Sequence, residues 1–128
     1  MYRYVFRKIF FFILLYLENR NTERQDGMNK KLDTEEVRHL FEGIQALKGT
    51  EECFCFFEDV CTINELLAMA QRYEVAKMLR EGKTYIDIAK STGASTATIS
   101  RVNRSLNYGA EGYKLIFDRL DKKKNSHS

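Results

Sequence analysis

Thr96, Ala97, Ser100, Arg101 and Arg104 fall on one face of a helix at spacings of one, three and four residues. The set is two short hydroxyls, one methyl and two cations, and no acid lies between Ser91 and Tyr108. Such residue types do no bond-making; they suit close, non-covalent reading of a polyanion. In a DNA major groove, short side chains let a helix approach base edges. There Ser and Thr bond to several bases, Ala and the Thr methyl touch a thymine methyl, and Arg meets guanine or a phosphate. An exposed helical hairpin with a Ser/Thr-rich surface uses similar residues, so the elements that carry this face also count.

Those elements read as two short helices joined by a tight turn, over Thr84 to Leu106. Thr84 is a candidate N-cap, with Asp87 three residues on to reach back to the free amides of the first turn. Ile86, Ile88 and Ala89 give a small apolar face. Gly93 breaks the pattern where the backbone must turn through positive φ. Ser95 caps the second helix, whose stripe of Ile99, Val102 and Leu106 is opposite the polar face. Ala89 lies four residues before Gly93, giving a small residue where two steeply packed helices cross.

The 128 residues are 44% apolar and 30% charged, with no proline and a net charge of +3, the composition of a globular all-α domain. The distribution of charge says more than its sum. Glu51, Glu52, Glu58, Asp59 and Glu65 make an acidic segment, whereas Lys83, Lys90, Arg101 and Arg104 make the later part basic. Cys53, Cys55 and Cys61 lack the paired C-x2-C spacing or nearby His of a metal site, so they are expected as reduced thiols and no metal is expected. No phosphate-loop, zinc-protease or serine-nucleophile motif occurs, so no catalytic residue is assigned and an enzyme is not expected.

Residues 1–27 differ from the rest. A basic, aromatic start precedes nine consecutive apolar residues, Ile9 to Leu17, too few for a membrane span, which needs about 20. A secretory signal would need a small-x-small cleavage site, and none follows. An uncleaved membrane-surface anchor and a biological start at Met28 are the other readings, and the second is preferred. From there six helices are expected. The first follows a cap at Asp33 or Thr34 and places Val37, Leu40, Phe41, Ile44 and Leu47 on one face before Gly49 ends it. Thr50 caps the second, rich in Phe and Cys. The box Thr62-Ile63-Asn64-Glu65 opens the longest, which Gly82 closes. The two motif helices come next, with a C-cap at Asn107-Tyr108-Gly109. The last helix spans Tyr113 to Leu120, and residues 122–128 are a polar, disordered tail, leaving 28–121 as the domain.

Cys61 to Leu106, and above all GKTYIDIAKSTGASTATISRVNRSLNYG, resembles the Trp repressor superfamily and within it the short YerC/YecD-type Trp repressor-related proteins. The resemblance extends in weaker form from about Leu32 to Leu120. It implies an all-α, six-helix Trp repressor-like fold, an intertwined homodimer with a helix-turn-helix at Tyr85–Ser91 and Ser95–Leu106 of each subunit. It also places Thr96, Ala97, Thr98 and Ser100 where the family presents its recognition helix to the groove. The expected DNA surface is Lys83, Thr84, Tyr85, Ser95, Thr96, Ala97, Thr98, Ser100, Arg101 and Arg104. Thr62, Arg72, Arg101 and Ser105 match the family's corepressor pocket, with the two arginines placed to sandwich a flat ring or pair with a carboxylate.

Two departures alter the expectation. Val102 stands where the family's tryptophan binder has a glycine, so tryptophan is not expected as effector and no cofactor is assigned. Ile86 replaces a base-contacting arginine of the family. The implied function is a cytoplasmic, sequence-specific transcriptional regulator, a repressor, that binds double-stranded DNA at a two-fold operator without a membrane partner. An architectural or protein-interaction module, using the helix-turn-helix surface without an operator of its own, is the second reading.

Overall fold

The computed structural model describes residues 29–127, and the expectations for residues 1–27 and Met28 lie outside them. After a short 3-10 turn at Lys30–Leu32 come six helices: α1 (Glu35–Ala46), α2 (Gly49–Val60), α3 (Ile63–Arg80), α4 (Tyr85–Thr92), α5 (Thr96–Tyr108) and α6 (Gly112–Asn125). No strand occurs among the described residues, and none of their helices is long and apolar enough to cross a membrane.

The chain divides into two compact units at Ala46/Leu47. In the first, the Thr34 hydroxyl accepts the Val37 N–H at 3.3 Å, and Glu35 and Glu36 sit in the positive first turn of α1. The Glu36 carboxyl is held below its usual range by its own backbone amide and by the Thr34 hydroxyl. Asp33 pairs instead with Arg38. Leu40 and Phe41, expected on a buried stripe, are exposed in the single chain.

In the second unit the long helix α3 is the spine. Its N-terminus carries the expected capping box. The Thr62 hydroxyl accepts the Glu65 N–H at 3.2 Å, and the Glu65 carboxylate accepts the Thr62 N–H at 2.8 Å. At its other end Gly82, at φ +77°, lets its own N–H reach Leu79 O and the Lys83 N–H reach Met78 O. The C-terminal half of α3 gives Val75 and Ala76 to a core completed by Ile88 of α4, Ala94 of the turn, Ile99 and Val102 of α5, and Phe117 of α6. Each fully buried aliphatic side chain here contributes roughly 1.5–3 kcal/mol. This core therefore surrounds the helix-turn-helix, and α2 contributes no buried residue to it.

Two expectations are corrected and one is met. Thr50 does not cap α2; the helix starts at Gly49 with no side-chain cap from Lys48, and the Lys48 N–H is satisfied at 2.7 Å by the Glu52 carboxylate four residues on. The expected C-cap of α5 is present: Gly109 closes the helix with extended backbone, and Glu111 follows in the left-handed region at φ 61°. α6 does not stop at Leu120. It continues through Lys122, Lys123 and Lys124 to Asn125, because lysines in a last turn complement its negative end.

Candidate nucleic-acid interface

The helix-turn-helix is held by its turn. Gly93, at φ 69°, donates its N–H to Ala89 O at 2.9 Å. The Thr92 hydroxyl donates to Ile88 O at 2.7 Å and accepts the Ala94 N–H at 3.2 Å. From α3, Gln71 Nε2 donates to Thr92 O at 3.0 Å. These contacts fix where α5 begins relative to α4, and the buried Ile88, Ala94 and Ile99 lie beneath them.

Of the ten residues expected at a DNA surface, three spend their hydroxyls inside the protein. Thr84 accepts the Asp87 N–H at 3.2 Å and donates to the Asp87 carboxylate at 2.8 Å. Ser95 accepts the Thr98 N–H at 3.2 Å and donates to the Thr98 hydroxyl at 3.0 Å. These pairs build the two helix starts rather than an outward-facing donor set. Thr96, Ala97, Ser100, Arg101 and Arg104 are exposed together on α5, opposite the buried Ile99 and Val102. Lys83 and Tyr85 are exposed where α4 begins. Lys83, Lys90, Arg101 and Arg104 make no ion pair among the described residues, so their charge faces solvent.

The four candidate effector residues are placed differently. Arg72 and Arg101 are exposed and form no ion pair among the described residues. The Thr62 hydroxyl is engaged by Glu65, beside a hollow of about 160 Å³ between α2 and α3. Ser105 lines another hollow of about 440 Å³, with Tyr73, Tyr113 and Ile116. Val102, 2% exposed, belongs to the core cluster.

Two structural residues escaped the sequence reading. Gln71 ties α3 to the turn from 21 positions away. Arg80 Nη2 meets Asp118 and Asp121 at 2.8 Å each, while its guanidinium lies 5.5 Å from the Phe117 ring centre. Helix periodicity marks neither.

Two helices joined through a left-handed glycine, one with its small and cationic face turned outward, define a helix-turn-helix protein of the all-α class. The chain belongs to the Trp repressor family, whose model, Trp repressor protein, matches residues 35–121. It is 58% identical over 90 residues to the Bacillus subtilis (strain 168) protein YerC, described as uncharacterized, covering 70% of this chain and 86% of that one. The crystal structure of a TrpR-like protein from Eubacterium eligens ATCC 27750 superposes with a TM-score of 0.71 at 64% identity, covering 73% of this chain and 96% of that one. A candidate Trp repressor from Staphylococcus aureus gives 0.70 at 48% identity, covering 72% and 92% respectively.

Proposed function

We propose that the protein is a sequence-specific, DNA-binding transcriptional regulator, a repressor, that acts as a homodimer in the cytoplasm. The observation that carries this reading is the outward face of α5, where Thr96, Ala97, Ser100, Arg101 and Arg104 are exposed with no acid among them. Thr96, Ala97 and Ser100 are short enough to meet base edges, and Arg101 and Arg104 reach phosphates or guanine. Glu58 and Asp59 of α2 precede the N-terminal end of α3, whereas the basic helix-turn-helix follows its C-terminal end, a separation that suits approach of the basic part to a polyanion.

Exposed apolar surface supports the dimer. Phe54 and Val60 of α2 and Ile63 and Leu67 of α3 are 52–75% exposed in one chain. So large an uncovered strip suits burial against a second copy, which would present two recognition helices to a two-fold operator.

The test is selection of bound fragments from random DNA, followed by affinity measurements on the selected site and on random duplex. Arg104→Ala is expected to weaken both similarly, whereas Thr96→Val is expected to change preference at one base pair, by about 1–3 kcal/mol. Equal losses for both variants on both duplexes would rule out α5 as the reading helix. No selected sequence at all would favour a protein-interaction module.

A further inference from the structure

The last helix divides its charges between two sides. Asp118 and Asp121 both turn to Arg80 at the end of α3. Arg119, Lys122 and Lys123 stand at i, i+3, i+4 spacing, are exposed, and make no ion pair among the described residues. With both acids drawn to Arg80, Arg119, Lys122 and Lys123 are the charged residues left on the outer side of α6, next to the exposed Leu115 and Ile116 one turn earlier. Complementing the helix dipole needs positive charge only in the last turn, and Arg119 lies before it.

The Arg80 contacts also locate this face. Arg80 comes just before Glu81-Gly82-Lys83, the connection into α4, so the C-terminal end of α6 stands beside the start of the helix-turn-helix. Glu81 and Lys124 line one hollow there, of about 400 Å³. Lys83, itself exposed and without an ion pair among the described residues, continues the positive surface towards α4. Glu58 and Asp59, in the last turn of α2, precede the other end of α3, about 27 Å away along an eighteen-residue helix.

We propose that Arg119, Lys122 and Lys123 form a second phosphate-binding surface, which grips the DNA backbone outside the bases read by α5. The proposal rests on the DNA-binding reading above and adds to it a contact that carries no sequence information. Long, flexible cations against phosphates displace counterions, so they contribute affinity and salt dependence but no base preference.

The experiment measures binding of the full chain to a random-sequence duplex of about 40 base pairs by fluorescence anisotropy across a salt series. Four proteins are compared: wild type, R119Q/K122Q/K123Q, the charge-conserving R119K/K122R/K123R, and Arg104→Ala. Glutamine keeps helix propensity, so α6 is retained. The glutamine variant is expected to lose about 2 to 3 from the slope of log affinity against log salt and to bind about tenfold or more weakly at low salt, while the charge-conserving variant keeps both. If the glutamine variant melts early, Lys123→Gln alone decides, with an expected slope change of about one. An unchanged slope in the glutamine variants, beside weakened binding by Arg104→Ala, overturns this proposal and leaves the DNA reading standing. A loss shared by the charge-conserving variant overturns it too. A wild-type chain that binds no duplex overturns both.

Discussion

Gln71 and Thr92 are joined by a hydrogen bond of 3.0 Å from the Gln71 side-chain amide to the Thr92 carbonyl, across 21 positions of sequence. It links the long helix to the last residue of α4, one step before the left-handed Gly93. The carbonyl at a helix end has no partner within its own helix, so Gln71 supplies one where the chain must turn sharply. Gln71→Met, similar in size but without the donor, is expected to cost about 1 kcal/mol in urea unfolding. DNA affinity should fall further than that stability loss explains, because the angle between α4 and α5 would loosen. Unchanged unfolding and affinity would show that the bond does not set the turn.

The two glycines flanking α5 make contrasting predictions. Gly93 has φ 69° and open space where a Cβ would stand, so Gly93→Ala meets only left-handed strain, about 1–2 kcal/mol. Gly109 has an ordinary φ of −84°, but a Cβ there would run into the Ser105 carbonyl oxygen, which also accepts the Gly109 N–H. Gly109→Ala must therefore move backbone and break that cap. It is expected to be the more destabilising of the two in urea unfolding, and the reverse order would refute the assignment of strain.

Local signals explain why the caps were legible in the sequence and other contacts were not. Thr62 with Glu65, Thr84 with Asp87 and Ser95 with Thr98 each act within one helical turn, so their spacing alone identifies them. Gln71 to Thr92, and Arg80 to Asp118 and Asp121, join residues 21, 38 and 41 positions apart, where no periodic pattern exists. The start of α2 misled for a related reason: a hydroxyl at Thr50 is the familiar cap, yet the Glu52 carboxylate reached the Lys48 amide instead. On α5, spacing separated the outward Thr96, Ala97 and Ser100 from the buried Ile99 and Val102, but it could not tell that the Ser95 and Thr98 hydroxyls bond to each other.

Acid should weaken the start of α3. The Glu65 carboxyl is held below its ordinary value of 4.5, first by the Thr62 backbone N–H and then by the Thr62 hydroxyl. A folded-state value below the unfolded one means that this cap contributes fully at neutral pH, above the ordinary carboxylate range. The contribution is lost as pH falls through that range and past the lowered folded value. Glu36, lowered by its own amide and by Thr34, acts in the same direction. Glu65→Gln is therefore expected to lower the melting temperature at pH 7 and to narrow its gap from wild type as the pH drops towards about 3. A gap that stays constant with pH would mean that the carboxylate does not hold the cap.

Tryptophan is expected to bind weakly and to change DNA affinity little, and the reason lies in Val102. Its side chain is 2% exposed and packs in one cluster with Val75, Ala76, Ile88, Ala94, Ile99 and Phe117. A β-branched side chain in a helix has essentially one rotamer, so Val102 has no easy way to swing aside for an indole ring. Making that room would cost about 1–3 kcal/mol in repacking, enough to weaken a micromolar affinity by roughly 5- to 150-fold. The Thr62 hydroxyl would also have to leave Glu65 before it could bind a ligand. Val102→Gly is not a clean remedy, since it empties part of the core and puts glycine inside α5, a loss of about 2–4 kcal/mol. The measurement is a tryptophan titration of the wild-type chain by calorimetry, paired with binding to a selected duplex with and without tryptophan. Saturable binding at micromolar tryptophan, accompanied by tighter DNA binding, would mean that the ring finds space despite Val102 and that Arg72 and Arg101 serve the effector rather than the DNA backbone.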